Sequence, residues 1–394
     1  MPYNFDELLD RRRANSHKWT LYPEDVLPMW IADMDFHSPR AVVEALRAKI
    51  EHGVFGYEQR SPELLEVVCE RMGRLYRWSV LPEHIVVLPG LVTGMNVACR
   101  AVGQPGDGVF THTPVYHPFL SAPGHHQLTL QTTTLTYVSD GRTFHYEIDF
   151  DAFEAALQPN TRLYLLCSPH NPGGFVFTRE QLTRLADICL RHNIVICSDE
   201  IHSELILDDV RHTPVASISP EIADQTITLI ASSKTFNTAG LFCSFAIVPN
   251  PDLRQKMVAT AEHIVPWPNA LGLAAALAAF RPDPDTDEWL STLRQYLRVN
   301  RDTLVDYVTT HLPNIGTTVP QATFLAWLDC RNLGLDGSPH QFFLDKAKLA
   351  FNDGSIFGPG GEGFVRLNFG CPRSRLIDAL EKMSEALVKS PRAD

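Results

Sequence analysis

Lys234, Asp199 and Asn171 are the residues of this 394-residue chain whose types and placement suit shared chemistry. Lys234 lies in Ala231-Ser232-Ser233-Lys234-Thr235-Phe236-Asn237, directly after the apolar run Thr226-Ile227-Thr228-Leu229-Ile230. A lysine in a small polar pocket at a strand end suits imine formation, because partial desolvation beside other charges lowers its pKa and frees its lone pair. Two more polar clusters follow apolar runs in the same way. Ser168-Pro169-His170-Asn171-Pro172-Gly173-Gly174 follows residues 163–167, and Ser198-Asp199-Glu200-Ile201-His202 follows residues 194–197. Ligands of open parallel sheets sit beyond the carboxyl ends of the strands, so an amide, a carboxylate and a lysine would reach one edge. Each also has a plainer reading. Asp199 could cap the next helix, Asn171 could be a turn residue before Pro172, and His202 could be a solvated helix residue. Co-occurrence at three consecutive strand ends favours the shared site.

Those three groups meet the electronic needs of pyridoxal 5'-phosphate (PLP). The lysine forms the imine, the carboxylate pairs with the pyridinium nitrogen, and the amide, with an imidazole or phenol, hydrogen-bonds the ring oxygen.

The elements that must position these groups follow from apolar patterning. Strands are expected at 85–88, 108–111, 163–167, 194–197, 226–230 and 245–248. Helices are expected over about 93–102 and 178–192, the second opened by a capping box of Thr178 and Gln181. Short, continuously apolar strands separated by helices predict an α/β fold with a mainly parallel sheet covered on both faces. Arg281-Pro282-Asp283-Pro284-Asp285 marks a domain boundary, followed by an amphipathic helix over 287–311 and strands at 323–328 and 364–369. The expected organisation is a large domain over 46–282 and a smaller α+β domain over 283–394. The irregular, Pro-rich segment 1–45 should pack with the smaller one.

Composition narrows the function classes. A formal charge of −12 disfavours nucleic acid or an anionic membrane as the main partner. The N-terminus lacks the basic and apolar regions of a signal peptide, and the most apolar window, 270–280, is too short to span a bilayer. The eight cysteines are scattered without a CxxC pair, which fits the reducing cytoplasm. No histidine spacing suggests a metal site.

The chain resembles, over nearly its whole length, the fold-type I PLP enzymes of the class I/II aminotransferase superfamily. Within them it is similar to the MalY/PatB branch of cystathionine β-lyases (C–S lyases). The marks are Met29-Trp30-Ile31-Ala32-Asp33-Met34-Asp35-Phe36, Gly53-Val54-Phe55-Gly56-Tyr57, Pro105-Gly106-Asp107-Gly108-Val109 and Thr113-Pro114-Val115-Tyr116. Asn171-Pro172-Gly173-Gly174, Ser198-Asp199-Glu200-Ile201-His202, Ser233-Lys234-Thr235-Phe236-Asn237 and Phe364-Val365-Arg366-Leu367-Asn368-Phe369 complete them.

The resemblance implies that Lys234 holds PLP and acts as acid and base, with Asp199 on the pyridinium and Asn171 and His202 facing the ring oxygen. It implies that Tyr116 stacks on the ring and takes part in catalysis, and that Arg366 grips the substrate α-carboxylate beside Asn171. The phosphate would sit on the Gly90-Leu91-Val92-Thr93 turn, at Val92 and Thr93, with a hydroxyl from Ser232 or Ser233. Tyr57 would reach the neighbouring subunit's cofactor and substrate, which implies a homodimer. The implied reaction is α,β-elimination of a cysteine S-conjugate, with aminotransfer as the runner-up. The resemblance also leaves room for a regulatory protein partner. A purely non-catalytic relative is disfavoured by the joint presence of Lys234, Asp199, Tyr116 and Arg366.

Four positions depart from the family pattern. Ser168 stands where Asn is usual, Phe175 follows Gly174 in place of Arg, Ala231 replaces a serine, and Phe242 replaces a basic or polar residue eight positions after the lysine. Loss of a hydroxyl and a positive contact predicts weaker retention of PLP.

Overall fold

Alternate residues of one buried strand feed two different cores. Leu163, Leu165 and Cys167 join one apolar cluster, while Tyr164 and Leu166 join another. That two-residue period puts successive side chains on opposite faces of a sheet. On the first face they meet Met95 and Ala98 of the Leu91–Val102 helix, and on the second Leu182 and Leu185 of the Arg179–Arg191 helix. The sheet is therefore covered on both sides, as its continuously apolar strands require.

The structure is a computed structural model and describes residues 3–389. The strands in chain order are β1 Leu27–Pro28, β2 Ile85–Leu88, β3 Gly108–Thr113, β4 Thr129–Thr134 and β5 Thr136–Asp140. Next come β6 Thr143–Glu147, β7 Thr161–Cys167, β8 Val195–Asp199, β9 Thr226–Ile230 and β10 Ser244–Ile247. The last are β11 Gly316–Thr317, β12 Leu325–Asp329, β13 Leu349–Ala350, β14 Asn352–Asp353 and β15 Phe364–Asn368.

Seven strands form the larger sheet, in the order β2-β10-β9-β8-β7-β3-β4. Only β10 runs against its neighbours. A second sheet of six strands has the order β14-β15-β12-β11-β6-β5. The β5–β6 hairpin falls within residues 46–282 of the sequence division, yet it pairs with β11 at Thr143 and Thr317 and so extends the second sheet.

Local signals explain the helix ends. Thr178 and Gln181 make the expected reciprocal cap, at 3.1 and 2.9 Å. The long helix begins at Pro284, three residues earlier than its apolar pattern suggests. The Asp283 carboxylate accepts the Thr286 N–H at 2.8 Å, and proline at the first helical position needs no donor partner. The N-terminal segment is tied to the C-terminal part of the chain. β1 pairs in parallel with β13, and the Met29 carbonyl accepts from Asn368 N at 2.8 Å. No helix among the described residues is long and apolar enough to cross a membrane.

Candidate active site

Three neighbouring parallel strands, β7, β8 and β9, end level with one another: Cys167 pairs with Asp199, and Asp199 with Leu229. Their following loops carry Asn171, His202 and Lys234 to the same edge. Together with Asp199, these side chains line a cavity of 280 Å³. Tyr116, Val92, Thr93 and Ser233 line it too, and Ala32, Cys167 and Phe242 close it.

The cavity holds unneutralised charge. The Lys234 amine donates to the Ala32 carbonyl at 2.5 Å, and burial together with the nearby Arg366 pushes its pKa down to about 8. Burial pushes Asp199 up to about 7, although one of its oxygens accepts the Ile201 N–H at 3.1 Å. Asp199 thus caps a short turn, where its plainer reading expected a helix, and it also faces the cavity. His202 is buried, its Nδ1 has no partner, and burial holds the imidazole neutral.

Arg366 on β15 sits at the cavity margin. Its guanidinium donates to Asn171 Oδ1 at 3.0 Å, Asn352 Oδ1 at 2.6 Å and the Trp30 carbonyl at 3.0 Å, and it lies 5.0 Å from the Phe357 ring centroid. Among the described residues no carboxylate comes within ion-pair distance, and Nε is unpartnered. Burial pushes its pKa down to about 10. A buried cation held only by amides and carbonyls is costly, and an incoming carboxylate would relieve that cost.

Two sequence candidates lie elsewhere. Ser232 is buried and its hydroxyl bonds Thr238 Oγ1 at 3.0 Å, so it braces the lysine loop while Ser233 faces the cavity. Tyr57 is fully exposed and lies beside Trp267, outside this chain's own cavity.

Segment 30–36 contributes what side-chain reasoning missed, since it acts through backbone oxygens. Besides the Trp30 and Ala32 carbonyls, Asn237 grips it through Met34 N and O and Phe36 O at 2.8–3.0 Å. Asn368 holds the Ile31 and Asp33 carbonyls. Asn237 has φ 56°, a left-handed conformation that asparagine tolerates, and it directly follows the lysine loop. Asn352 joins the site by accepting from Arg366, and the glycine-rich chain after it packs closely on itself: a Cβ on Gly354 would lie 2.1 Å from the Gly361 carbonyl oxygen.

These residues fit PLP. The Leu91–Val102 helix opens with Gly90, which offers no side-chain cap, and residues 90–93 line the cavity, so its uncapped first turn suits a phosphate. Asp199, the orphaned His202 nitrogen and the Lys234 amine would supply the acid, the ring-edge donor and the nucleophile.

Comparison with known proteins agrees with PLP as the cofactor. The aminotransferase class I and II family model matches residues 24–383. Cystathionine beta-lyase PatB of Bacillus subtilis is 39% identical over 98% of this chain and 100% of its own length. The crystal structure of OvoB is 40% identical with a TM-score of 0.93, covering 99% of this chain and all of that one. Cystalysin from Treponema denticola, solved with pyridoxal 5'-phosphate, is 32% identical with a TM-score of 0.92, covering 98% of this chain and 99% of that one.

Proposed function

The chain belongs to the aminotransferase class I and II family, and from that premise we propose that it is a PLP-dependent carbon–sulfur β-lyase. It opens cystathionine or another cysteine S-conjugate to thiol, pyruvate and ammonia. The observation that carries this reading is Arg366: a buried cation without a counter-ion, beside Asn171 and across the cavity from a lysine of lowered pKa. An amino acid supplies the missing anion through its α-carboxylate. The relatives named as cystathionine β-lyases support the thioether over other amino acids.

When bound, PLP supplies an electron-withdrawing ring that takes up the electron pair left by the substrate α-proton. Asp199 would hold the protonated ring nitrogen, and that cation would in turn stabilise the carboxylate now pushed up by burial. Asn171 and His202 would face the ring oxygen and Tyr116 the ring face. Ser233 and the Val92 and Thr93 N–H groups would face the phosphate. Arg366 fixes the α-carboxylate with a two-donor fork, which orients the α-hydrogen. Lys234 Nζ, poised near working pH, takes that proton and returns one to the leaving sulfur. The phenol of Tyr116, kept protonated by burial, is a second proton source at the cavity wall.

Aminotransfer uses the same residues and is favoured by the family at large. Product analysis separates the two. Thiol and pyruvate from L-cystathionine, lost in Lys234→Ala, support elimination; a keto acid without thiol overturns it in favour of aminotransfer.

The working unit we propose is a cytoplasmic homodimer. Exposed Phe55 and Tyr57 stand beside exposed Trp267 around a 910 Å³ cleft, and exposed Val54 adjoins it, an apolar surface that a second copy would cover. Tyr57 would then enter the other copy's site. All eight cysteines are free, in keeping with a reducing compartment.

A further inference from the structure

Behind the turn that carries His202, the chain forms a second concave site of opposite character. It is a cleft of 690 Å³ between the Pro62–Tyr76 helix, the 203–214 loop and the Pro284–His311 helix. Arg74, Arg77, Arg179, Arg211, Arg294 and Arg298 line it. Its two acidic residues are already engaged. Glu204 receives a two-pronged pair from buried Arg71, and Asp208 pairs with Arg301 at 2.7 Å. Among the described residues no carboxylate lies within ion-pair distance of Arg77, Arg211, Arg294 or Arg298. Arg294 Nε donates to the Glu204 carbonyl at 2.6 Å and Arg298 Nε to the Leu207 carbonyl, so each leaves its two terminal nitrogens without such a bond.

Four guanidinium groups without an ion-pair partner around one concavity are unexpected in a chain of net charge −12, where acidic partners are plentiful. Like charges held together raise each other's energy unless an anion sits between them. We propose that this cleft is a binding site for a compact polyanion of the phosphate-ester or polyphosphate class. Its volume lies within the range typical of small-molecule sites, about 300–1,000 Å³. Planar guanidinium forks match phosphate oxygens two at a time.

The site is joined to the catalytic one. Ser203 and Glu204 line the cleft and directly follow His202, while Ser203 N donates to Glu200 O and Leu205 N to His202 O. Glu200 in turn holds His212 at 2.7 Å. An anion that draws on Arg294 therefore pulls on the turn bearing Asp199 and His202.

The test is calorimetric titration of the PLP-loaded enzyme with tripolyphosphate, at low and at physiological ionic strength. PLP already fills the catalytic phosphate site, so the titration reports another. One saturable site is expected, weakened about tenfold or more in Arg77→Gln/Arg211→Gln and in Arg294→Gln/Arg298→Gln. Among the described residues the side chains of the first pair make no hydrogen bond to the fold, so that pair keeps the test open should the second pair unfold. Absence of a saturable site, or an affinity unchanged in Arg77→Gln/Arg211→Gln, overturns the proposal. Tighter binding of an oligoglutamate peptide than of tripolyphosphate also overturns it, and would make the cleft a dock for an acidic protein.

Discussion

Arg71 and Arg366 are both buried arginines, and their surroundings differ in one respect. Arg71 faces Glu204 through two prongs and lies 5.1 Å from both the Phe236 and Phe280 ring centroids. Arg366 is also covered by an aromatic ring, that of Phe357, but has only amide and carbonyl oxygens in place of the carboxylate. The first arrangement is closed and needs nothing more. The second is open and becomes whole only with an anion from outside. Lysines repeat the contrast. Buried Lys18 pairs with Asp35 at 3.0 Å, while Lys234 has only the Ala32 carbonyl. A buried charge matched within the chain holds the fold together; one left unmatched marks where a ligand binds.

Substitution breaks the comparison in opposite directions. Arg71→Met leaves Glu204 buried and unpaired and should destabilise the protein by about 3–5 kcal/mol, read from denaturant unfolding, with kcat/KM of the remaining folded enzyme little changed. Arg366→Met removes a charge that has no partner, so stability should hold within about 1 kcal/mol. Its kcat/KM for cystathionine should fall about 10²–10³-fold, because the substrate carboxylate loses its fork.

The unmatched charges should also show in pH dependence. Without PLP, Asp199 titrates at about 7 in the folded protein, above its unfolded value near 4. Between those values the folded state holds a proton that the unfolded chain has released, so stability falls as pH rises through the window. Lys234 has the opposite sign. Its folded pKa of about 8 lies below its unfolded value, so stability recovers from about pH 8 toward 10. Thermal unfolding of the cofactor-free protein should therefore pass through a minimum near pH 7–8, each limb on the order of 3–4 kcal/mol. Asp199→Asn should remove the acid-side limb alone.

The smallest expected effect concerns the phosphate end. Phe242 is exposed at the cavity mouth in a left-handed conformation and offers no charge. Phe242→Arg should tighten PLP about tenfold by equilibrium titration of the cofactor absorbance.

The strand ends were legible because β7, β8 and β9 are continuous apolar runs that stop at polar clusters. The capping box at Thr178 announced its helix for a similarly local reason. The β4 strand and β5–β6 hairpin were not legible. Thr129–Thr134 and Thr136–Asp140 contain no residue of the buried class, so burial left no run to read. The work of segment 30–36 was hidden differently. Its string was visible as a family mark, but its grip on Lys234 and Arg366 runs through carbonyl oxygens that every residue has. Ser232 and Ser233 are the same residue type side by side, and only the loop's path decides which hydroxyl faces the cavity.

Borohydride reduction of the PLP-loaded enzyme, followed by peptide mass mapping, tests the open-charge reading at its chemical centre. A pyridoxyl-phosphate mass on the peptide carrying Lys234, blocked in Lys234→Ala, is the predicted result. The same mass on another lysine, or on none, would contradict the assignment of this cavity as the catalytic site.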